Sequence, residues 1–225
     1  VLNETRGLDR ERFDSYTFID YNSLNGYFHY YCMNKAIEMN YYKTQGILLA
    51  SDDVLIKPWN LRNLDETKIW YFEALRPKLE LKLTINFNWM WWGGNAPKLM
   101  KLFNYTRDVI SGDISASESL TPKEIYFIKE FISNLDRHRI DNLYISYGGS
   151  DIFYIPKRKF DIFHYIADVF QTHGIFLEIA VPTILNGING ERDAIIMNGA
   201  YRWGSTFSID EYDKAETFAH PFKMS

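Results

Sequence analysis

An apolar run that leads straight into two acids, Gly46-Ile47-Leu48-Leu49-Ala50-Ser51-Asp52-Asp53, is the most informative segment of the sequence. Residues 46–50 are too few for a stable helix and suit a short buried strand. In open α/β sheets, ligands collect beyond the carboxyl ends of the strands, where Asp52 and Asp53 would emerge. The segment therefore predicts a strand of an α/β sheet with a polar site at its end.

The two adjacent acids predict a divalent cation. Neighbouring carboxylates at a buried edge repel each other, and a bound cation removes that cost. Because oxygen ligands suit hard ions, Asp52 and Asp53 favour Mg²⁺ or Mn²⁺, which would bridge the phosphates of a substrate. The alternative is that the pair forms an ordinary turn or helix cap.

Helices and strands are predicted to alternate along the rest of the chain. Helices are expected over 24–40, 121–135 and 158–173, and strands over 143–147 and 194–197. The clearest helix begins at Thr121, with Pro122 at its first position and Glu124 completing a capping box. Pro58 and Trp59 are expected to end the local structure after the first strand. This alternation favours one α/β layered domain over residues 1–225, with a mixed sheet flanked by helices and a flexible loop around 111–119.

Composition and charge exclude two kinds of partner. The chain carries 25 basic and 29 acidic residues without a basic stripe, so duplex nucleic acid is not an expected partner. No apolar run approaches the roughly 20 residues needed to span a bilayer, so no membrane contact is expected within this chain. Any targeting segment is expected to lie outside this chain. Two glycosylation sequons, at Asn3 and Asn104, modestly favour a secretory lumen.

Two further segments contain candidate binding residues. Near the end of the chain, His220 precedes Pro221 and can complete a cation site, while Lys223 can face phosphate oxygens; the alternative is an ordinary terminal histidine. The segment Trp89-Met90-Trp91-Trp92-Gly93-Gly94 predicts either a sugar-stacking platform on a turn, using Trp91 and Trp92, or a core strand. The remaining histidines, His29, His138, His164 and His173, show no metal-ligand spacing and are interpreted as surface or core residues.

Four short motifs, in this order along the chain, resemble the GT-A glycosyltransferases. The acidic pair followed by Val54-Leu55-Ile56 looks like the DxD region of that family. Gly148-Gly149-Ser150-Asp151 resembles its glycine-containing acceptor loop, and Ile175-Phe176-Leu177-Glu178 resembles the segment with an acidic residue near the acceptor. His220 is similar in setting to the family's late metal-binding histidine. The resemblance spans about residues 24–223, and a STELLO-like secretory-pathway group is the one it most resembles.

The resemblance implies a role for each matching residue. Asp53 would be the principal ligand of Mn²⁺ or Mg²⁺, with Asp52 assisting or contacting the ribose or sugar, and with His220. Glu178 would be the general base that takes a proton from the acceptor hydroxyl. Asp151, after a flexible Gly148-Gly149 turn, is the alternative base. The implied partners are a nucleotide-sugar donor and a glycan or protein hydroxyl acceptor, in the Golgi lumen if a segment before Val1 anchors the chain.

Two departures from the family pattern separate this chain from a typical member. Ser51 stands at the first position of the usual acidic triplet. Only about 45 residues precede the acidic strand, where the family has a nucleotide-binding βαβ half, so that half is expected upstream or trimmed. Two rival functions therefore remain: a non-catalytic carbohydrate-binding or scaffolding module, and a metal-dependent phosphoesterase or nucleotidyl enzyme.

Overall fold

The chain folds as a mixed α/β structure. The computed structural model describes residues 29–38, 44–73, 79–80, 92–113, 119–137, 144–190, 194–202 and 207–222. The helices there are α1 Tyr30–Glu38, α2 Pro58–Leu61, α3 Trp92–Ser111, α4 Pro122–Asp136, α5 Phe160–Thr172, α6 Leu177–Ile188 and α7 Ile209–Lys214. The strands are β1 Gly46–Ala50, β2 Leu55–Ile56, β3 Trp70–Tyr71, β4 Leu79–Glu80, β5 Tyr144–Ile145, β6 Ile152–Pro156, β7 Ile195–Ile196, β8 Ala200–Tyr201 and β9 Phe218–His220. Within these residues, no helix combines the length and apolar character that crossing a bilayer requires.

The largest sheet has the strand order β1-β6-β3-β7 and is mixed. The strand expected over residues 46–50 is confirmed as β1, and it pairs antiparallel with β6 from Gly46 opposite Pro156 to Ala50 opposite Ile152. β6 is buried at all five positions, and β3 pairs with it antiparallel on its other edge. Because β1 and β6 run in opposite directions, the end of β1 lies beside the start of β6.

A second sheet brings the last described strand to the same place. Its order is β2-β9-β8, with β2 antiparallel and β8 parallel to β9. Leu55 lies opposite Ala219, and the amide of Phe222 donates to the carbonyl of Asp53 at 2.7 Å. These contacts fix the segment that carries His220 against the loop that follows β1.

Helices α4, α5 and α6 pack against one another, and α1 packs on α5. The expected capping box of α4 is confirmed, with Thr121 accepting from the Glu124 amide and Glu124 accepting in return. The helix expected over residues 158–173 is confirmed as α5, and its Phe163 and Phe170 are fully buried in the main core. Gly174 follows that helix with a φ of +65°, a left-handed conformation that suits a glycine after a helix end.

Several sequence expectations are wrong or incomplete. Pro58 and Trp59 do not end local structure but begin α2, where proline suits the first helical turn. Residues 92–94 are neither a turn nor a strand, because they open α3; its buried Leu99, Leu102 and Phe103 have the helical spacing that reveals it. Ser111 ends α3, and residues 114–118 of the expected loop lie outside the described residues, as do Trp91 and residues 24–28 of the first expected helix.

Among the elements that were not predicted, two lie at the candidate site, α6 and β6. The helix α6 is buried on every side from Ile179 to Ile188, so it lacks the polar stripe from which an amphipathic helix is recognised. β6 is a continuous apolar run that lacks the period-two alternation of a half-exposed strand. Both elements matter for function, because they hold Glu178 and Asp151 in place.

The packing of α6 on α4 gives a direct test of the fold. A Cβ on Gly187 would lie 2.2 Å from the Phe131 ring, so Gly187→Ala should destabilise the fold by about 1–3 kcal/mol through overpacking. The control is Gly94→Ala in α3, where a Cβ would meet nothing within 4 Å and a gain of up to about 1 kcal/mol is expected. Urea unfolding of both variants measures this difference. Equal stabilities would contradict the close approach of the two helices.

Candidate metal centre

Three side chains of the metal-ligating kind converge at the junction of the two sheets. Ligand atoms of Asp53, Asp151 and His220 all lie within 4.8 Å of one another. The Nε2 atom of His220 is 3.3 Å from Oδ1 of Asp53 and 3.5 Å from Oδ1 of Asp151. Asp53 and His220, which were predicted to share a cation, therefore lie together, and Asp151 joins them; that they bind a cation stays a prediction.

Backbone hydrogen bonds explain why these residues meet. The amide of Ser51 donates to the carbonyl of Asp151 at 2.8 Å, one step beyond the last β1–β6 pair. Asp53 therefore follows β1 where Asp151 precedes β6. His220 is the last residue of β9, and the bond from Phe222 to the Asp53 carbonyl holds it there. The three residues lie far apart in the sequence, and strand pairing brings them together.

The donor set fits a cation that accepts both oxygen and nitrogen. His220 is buried, while the two aspartates are half-buried and face the same point. Carboxylate oxygens suit Mg²⁺ and Mn²⁺, whereas an imidazole nitrogen suits transition metals. The group offers two carboxylate oxygens and one imidazole nitrogen, and the choice of Mn²⁺ or Mg²⁺ stays a prediction. Without a cation, a protonated His220 would form ion pairs with both aspartates, which is the competing structural interpretation.

A hydroxyl and a second histidine support Asp151 from one side. Ser51 Oγ donates to Asp151 Oδ1 at 3.2 Å and lies 3.3 Å from Nδ1 of His29. Burial lowers the pKa of His29, and the charges of Asp151, Asp52 and Asp53 oppose that shift. The sequence gave no sign of this position of His29. Ser51 meets Asp151 only through the pairing of β1 with β6, and His29 reaches Asp151 only through its contact with Ser51.

Glu178 lies close enough to Asp151 to sense its charge. Burial raises the pKa of the Glu178 carboxyl to about 8, and repulsion by Asp151 adds to the effect. Among the described residues, its buried Oε2 atom has no hydrogen-bond partner. Its position is fixed at the start of α6, where its carbonyl accepts from the amide of Gly148 at 3.0 Å. A carboxyl with a pKa near neutrality suits proton transfer.

The two glycines before Asp151 are tightly packed, and the flexibility expected of this turn stays a prediction. Gly148 and Gly149 are buried, and the Tyr71 hydroxyl donates to the Gly149 carbonyl. A Cβ on Gly149 would lie 2.3 Å from the Tyr201 ring, and one on Gly148 would lie 3.0 Å from the Glu73 carboxylate. Glycine is needed here for close approach. The role of these two residues in substrate binding stays a prediction.

The roles of the remaining candidate residues stay untested. Asp52 is exposed and does not belong to the converging group, so its assisting role stays a prediction. Trp92 is the first residue of α3, and its stacking role also stays a prediction. Trp91 and Lys223 lie outside the described residues.

No protein-family model, curated protein or solved structure matches this chain. The chemistry of the site is thus inferred from its own residues.

The raised pKa of Glu178 predicts a specific pH dependence of stability. Between the usual pKa near 4.5 and the folded-state value of about 8, the unfolded chain releases a proton that the folded chain retains. The folded state therefore loses stability as pH rises through this window. Glu178→Gln mimics the protonated side chain, so it should match the wild-type melting temperature at pH 4 and exceed it at pH 8. Thermal unfolding followed by circular dichroism measures this.

The exposed Glu216→Gln is the control and should follow the wild-type profile. Parallel profiles for wild type and Glu178→Gln between pH 4 and pH 8 would contradict the burial of an unpaired Glu178 carboxyl.

Proposed function

We propose that this chain is a metal-dependent glycosyltransferase that moves a sugar from a nucleotide-sugar donor to a hydroxyl acceptor. One observation supports it. Three side chains that could bind a cation, the cation group of Asp53, Asp151 and His220, lie next to the half-buried carboxyl of Glu178, whose pKa is raised. A transferase that acts on a nucleotide sugar needs both parts: charge neutralisation for the leaving diphosphate and a base for the incoming hydroxyl.

Two of the three residues of the cation group are acidic, which limits how a donor can bind. Asp53 and Asp151 would repel a diphosphate directly, so the donor needs a cation between its phosphates and these carboxylates. When bound, Mn²⁺ or Mg²⁺ would stabilise the charge that grows on the diphosphate as the sugar leaves. His220 and the two aspartates would hold it from three chain segments, so the site is set by the fold and not by one loop.

Glu178 is the proposed general base. Its carboxyl is half-buried at the start of α6, with an oxygen that has no partner among the described residues and is free to accept the proton of an acceptor hydroxyl. A base works best with a pKa near the operating pH. A cation held by Asp151 would offset the part of the pKa rise that comes from repulsion by Asp151. The pKa of Glu178 would then lie closer to neutral pH.

Asp151 fits a ligand better than a base. Its Oδ1 accepts from Ser51 and faces His220, while its Oδ2 accepts from the Tyr201 hydroxyl. A cation at this group would use the lone pair that each oxygen of Asp151 keeps, which leaves none for a proton from a substrate. We therefore assign Asp151 to the cation group and keep Glu178 as the base.

Two variants separate donor binding from turnover. Asp53→Asn should weaken Mn²⁺-dependent binding of a nucleoside diphosphate by about 100-fold, since it removes the negative charge of a direct ligand. Glu178→Gln should keep that binding but lower kcat by about 10²–10⁴-fold, because only proton transfer is lost. Calorimetry with Mn²⁺ and UDP or GDP measures the first effect. Release of nucleoside diphosphate from a panel of UDP- and GDP-sugars with glycan acceptors measures the second.

Asp108→Asn, at an exposed carboxylate of α3, is the control and should change neither quantity. Full turnover in Glu178→Gln would contradict its role as base, and unchanged nucleotide affinity in Asp53→Asn would contradict the metal centre. Metal-dependent release of phosphate from simple esters would instead favour the phosphoesterase. Sugar binding without metal or nucleotide would favour the carbohydrate-binding module.

A further inference from the structure

Tyr201 contacts two of the three residues in the cation group. Its hydroxyl donates to Oδ2 of Asp151 at 2.7 Å. Its ring stacks on the imidazole of His220, with centroids 4.6 Å apart and planes 21° from parallel. Tyr201 thus orients both the carboxylate of Asp151, which directly precedes β6, and the imidazole of His220 at the end of β9.

The Tyr201 ring is itself held on its other face. Phe72 stacks there with centroids 4.4 Å apart and planes 14° from parallel, and Phe218 meets the edge of Phe72. Gly149 lies so close that any Cβ would overlap the Tyr201 ring. A ring enclosed in this way has one accessible position, and its hydroxyl therefore points in one direction.

Strand pairing aligns the backbones of Tyr201 and His220. Tyr201 in β8 lies opposite His220 in the parallel pair with β9, and the Arg202 amide donates to the His220 carbonyl at 2.9 Å. The stack between the two rings therefore follows from strand register, so a change at Tyr201 acts directly on His220.

Asp151 is oriented by a hydroxyl at each oxygen. Tyr201 donates to Oδ2, and Ser51 donates to Oδ1. A carboxylate oxygen has two lone pairs, so each hydrogen bond leaves one for a cation. Partners of this kind fix ligand geometry, and their loss typically weakens metal binding by about 10–100-fold.

We propose that Tyr201 is the positioning residue of the metal centre, with its hydroxyl orienting Asp151 and its ring orienting His220. This inference rests on the proposed function, because it assumes that Asp53, Asp151 and His220 bind a cation. The competing interpretation is a buried tyrosine that only satisfies its hydroxyl, and that interpretation predicts a loss of stability with no change in metal affinity.

Tyr154 offers a matched control. Its ring is also stacked, on Trp70 with centroids 4.0 Å apart, and its hydroxyl donates to the carbonyl of Glu66 at 3.0 Å. Tyr154→Phe therefore removes a tyrosine hydroxyl bond from the same part of the molecule without touching the cation group. Any general effect of losing such a bond appears in both variants, while an effect on ligand geometry appears only in Tyr201→Phe.

The test is Mn²⁺ affinity by titration with electron paramagnetic resonance, with thermal stability measured in parallel. Tyr201→Phe should weaken Mn²⁺ binding about 10-fold at a stability similar to that of Tyr154→Phe, whose Mn²⁺ affinity should equal that of wild type. Tyr201→Leu, which also loses the stack on His220, should bind Mn²⁺ more weakly still.

Wild-type affinity in Tyr201→Phe would overturn the role of Tyr201 and leave the metal centre intact. Equal losses in Tyr201→Phe and Tyr154→Phe would also overturn it, since the effect would then be general. Absence of Mn²⁺ binding by the unmodified protein would instead overturn the metal centre and the proposed function with it.

Discussion

Repulsion between converging carboxylates is the constraint on which the site depends. Asp53 and Asp151 face the same point, and Glu178 senses the charge of Asp151 from a buried position. Such groups stay together only where something offsets their charge. His220 offsets part of it if protonated, and a divalent cation offsets more. Burial, and to a smaller extent repulsion by Asp151, raise the pKa of the Glu178 carboxyl to about 8, close to the pH range in which a general base exchanges protons.

The scaffold resists this repulsion through backbone pairing at the junction of the two sheets. β1 and β6 bring Asp53 to Asp151, and β2 and β9 bring in His220. A buried lysine, Lys57, supports the second junction, because its Nζ donates to the carbonyls of Asp213 at 3.0 Å and Ala215 at 2.7 Å. Those carbonyls lie at the end of α7, where a cation is favoured, and the chain then runs directly into β9.

Part of this site could be predicted from the sequence. An apolar strand that ends in acids pointed to Asp53, and β1 confirms the strand. His220 was placed through a family resemblance, and the structure brings it to Asp53. The mixed α/β class was also predicted correctly. Whether the fold is of the GT-A type stays a prediction.

The rest could not be predicted, because it depends on partners far apart in sequence. Asp151 becomes a candidate ligand only once β6 pairs with β1, and β6 has no alternation that marks it as a strand. The helix that fixes Glu178 is apolar on all sides, so periodicity does not reveal it. Tyr201 has no local motif. Its importance follows from a register in which β8 lies beside β9.

The most direct test of the account is to locate the cation. Crystals of the full chain soaked in Mn²⁺ should give one strong anomalous scattering peak among the carboxylate oxygens of Asp53 and Asp151 and the Nε2 atom of His220. The account predicts this peak within coordination distance of all three atoms. A peak bound by other residues, or no peak at saturating Mn²⁺, would contradict it.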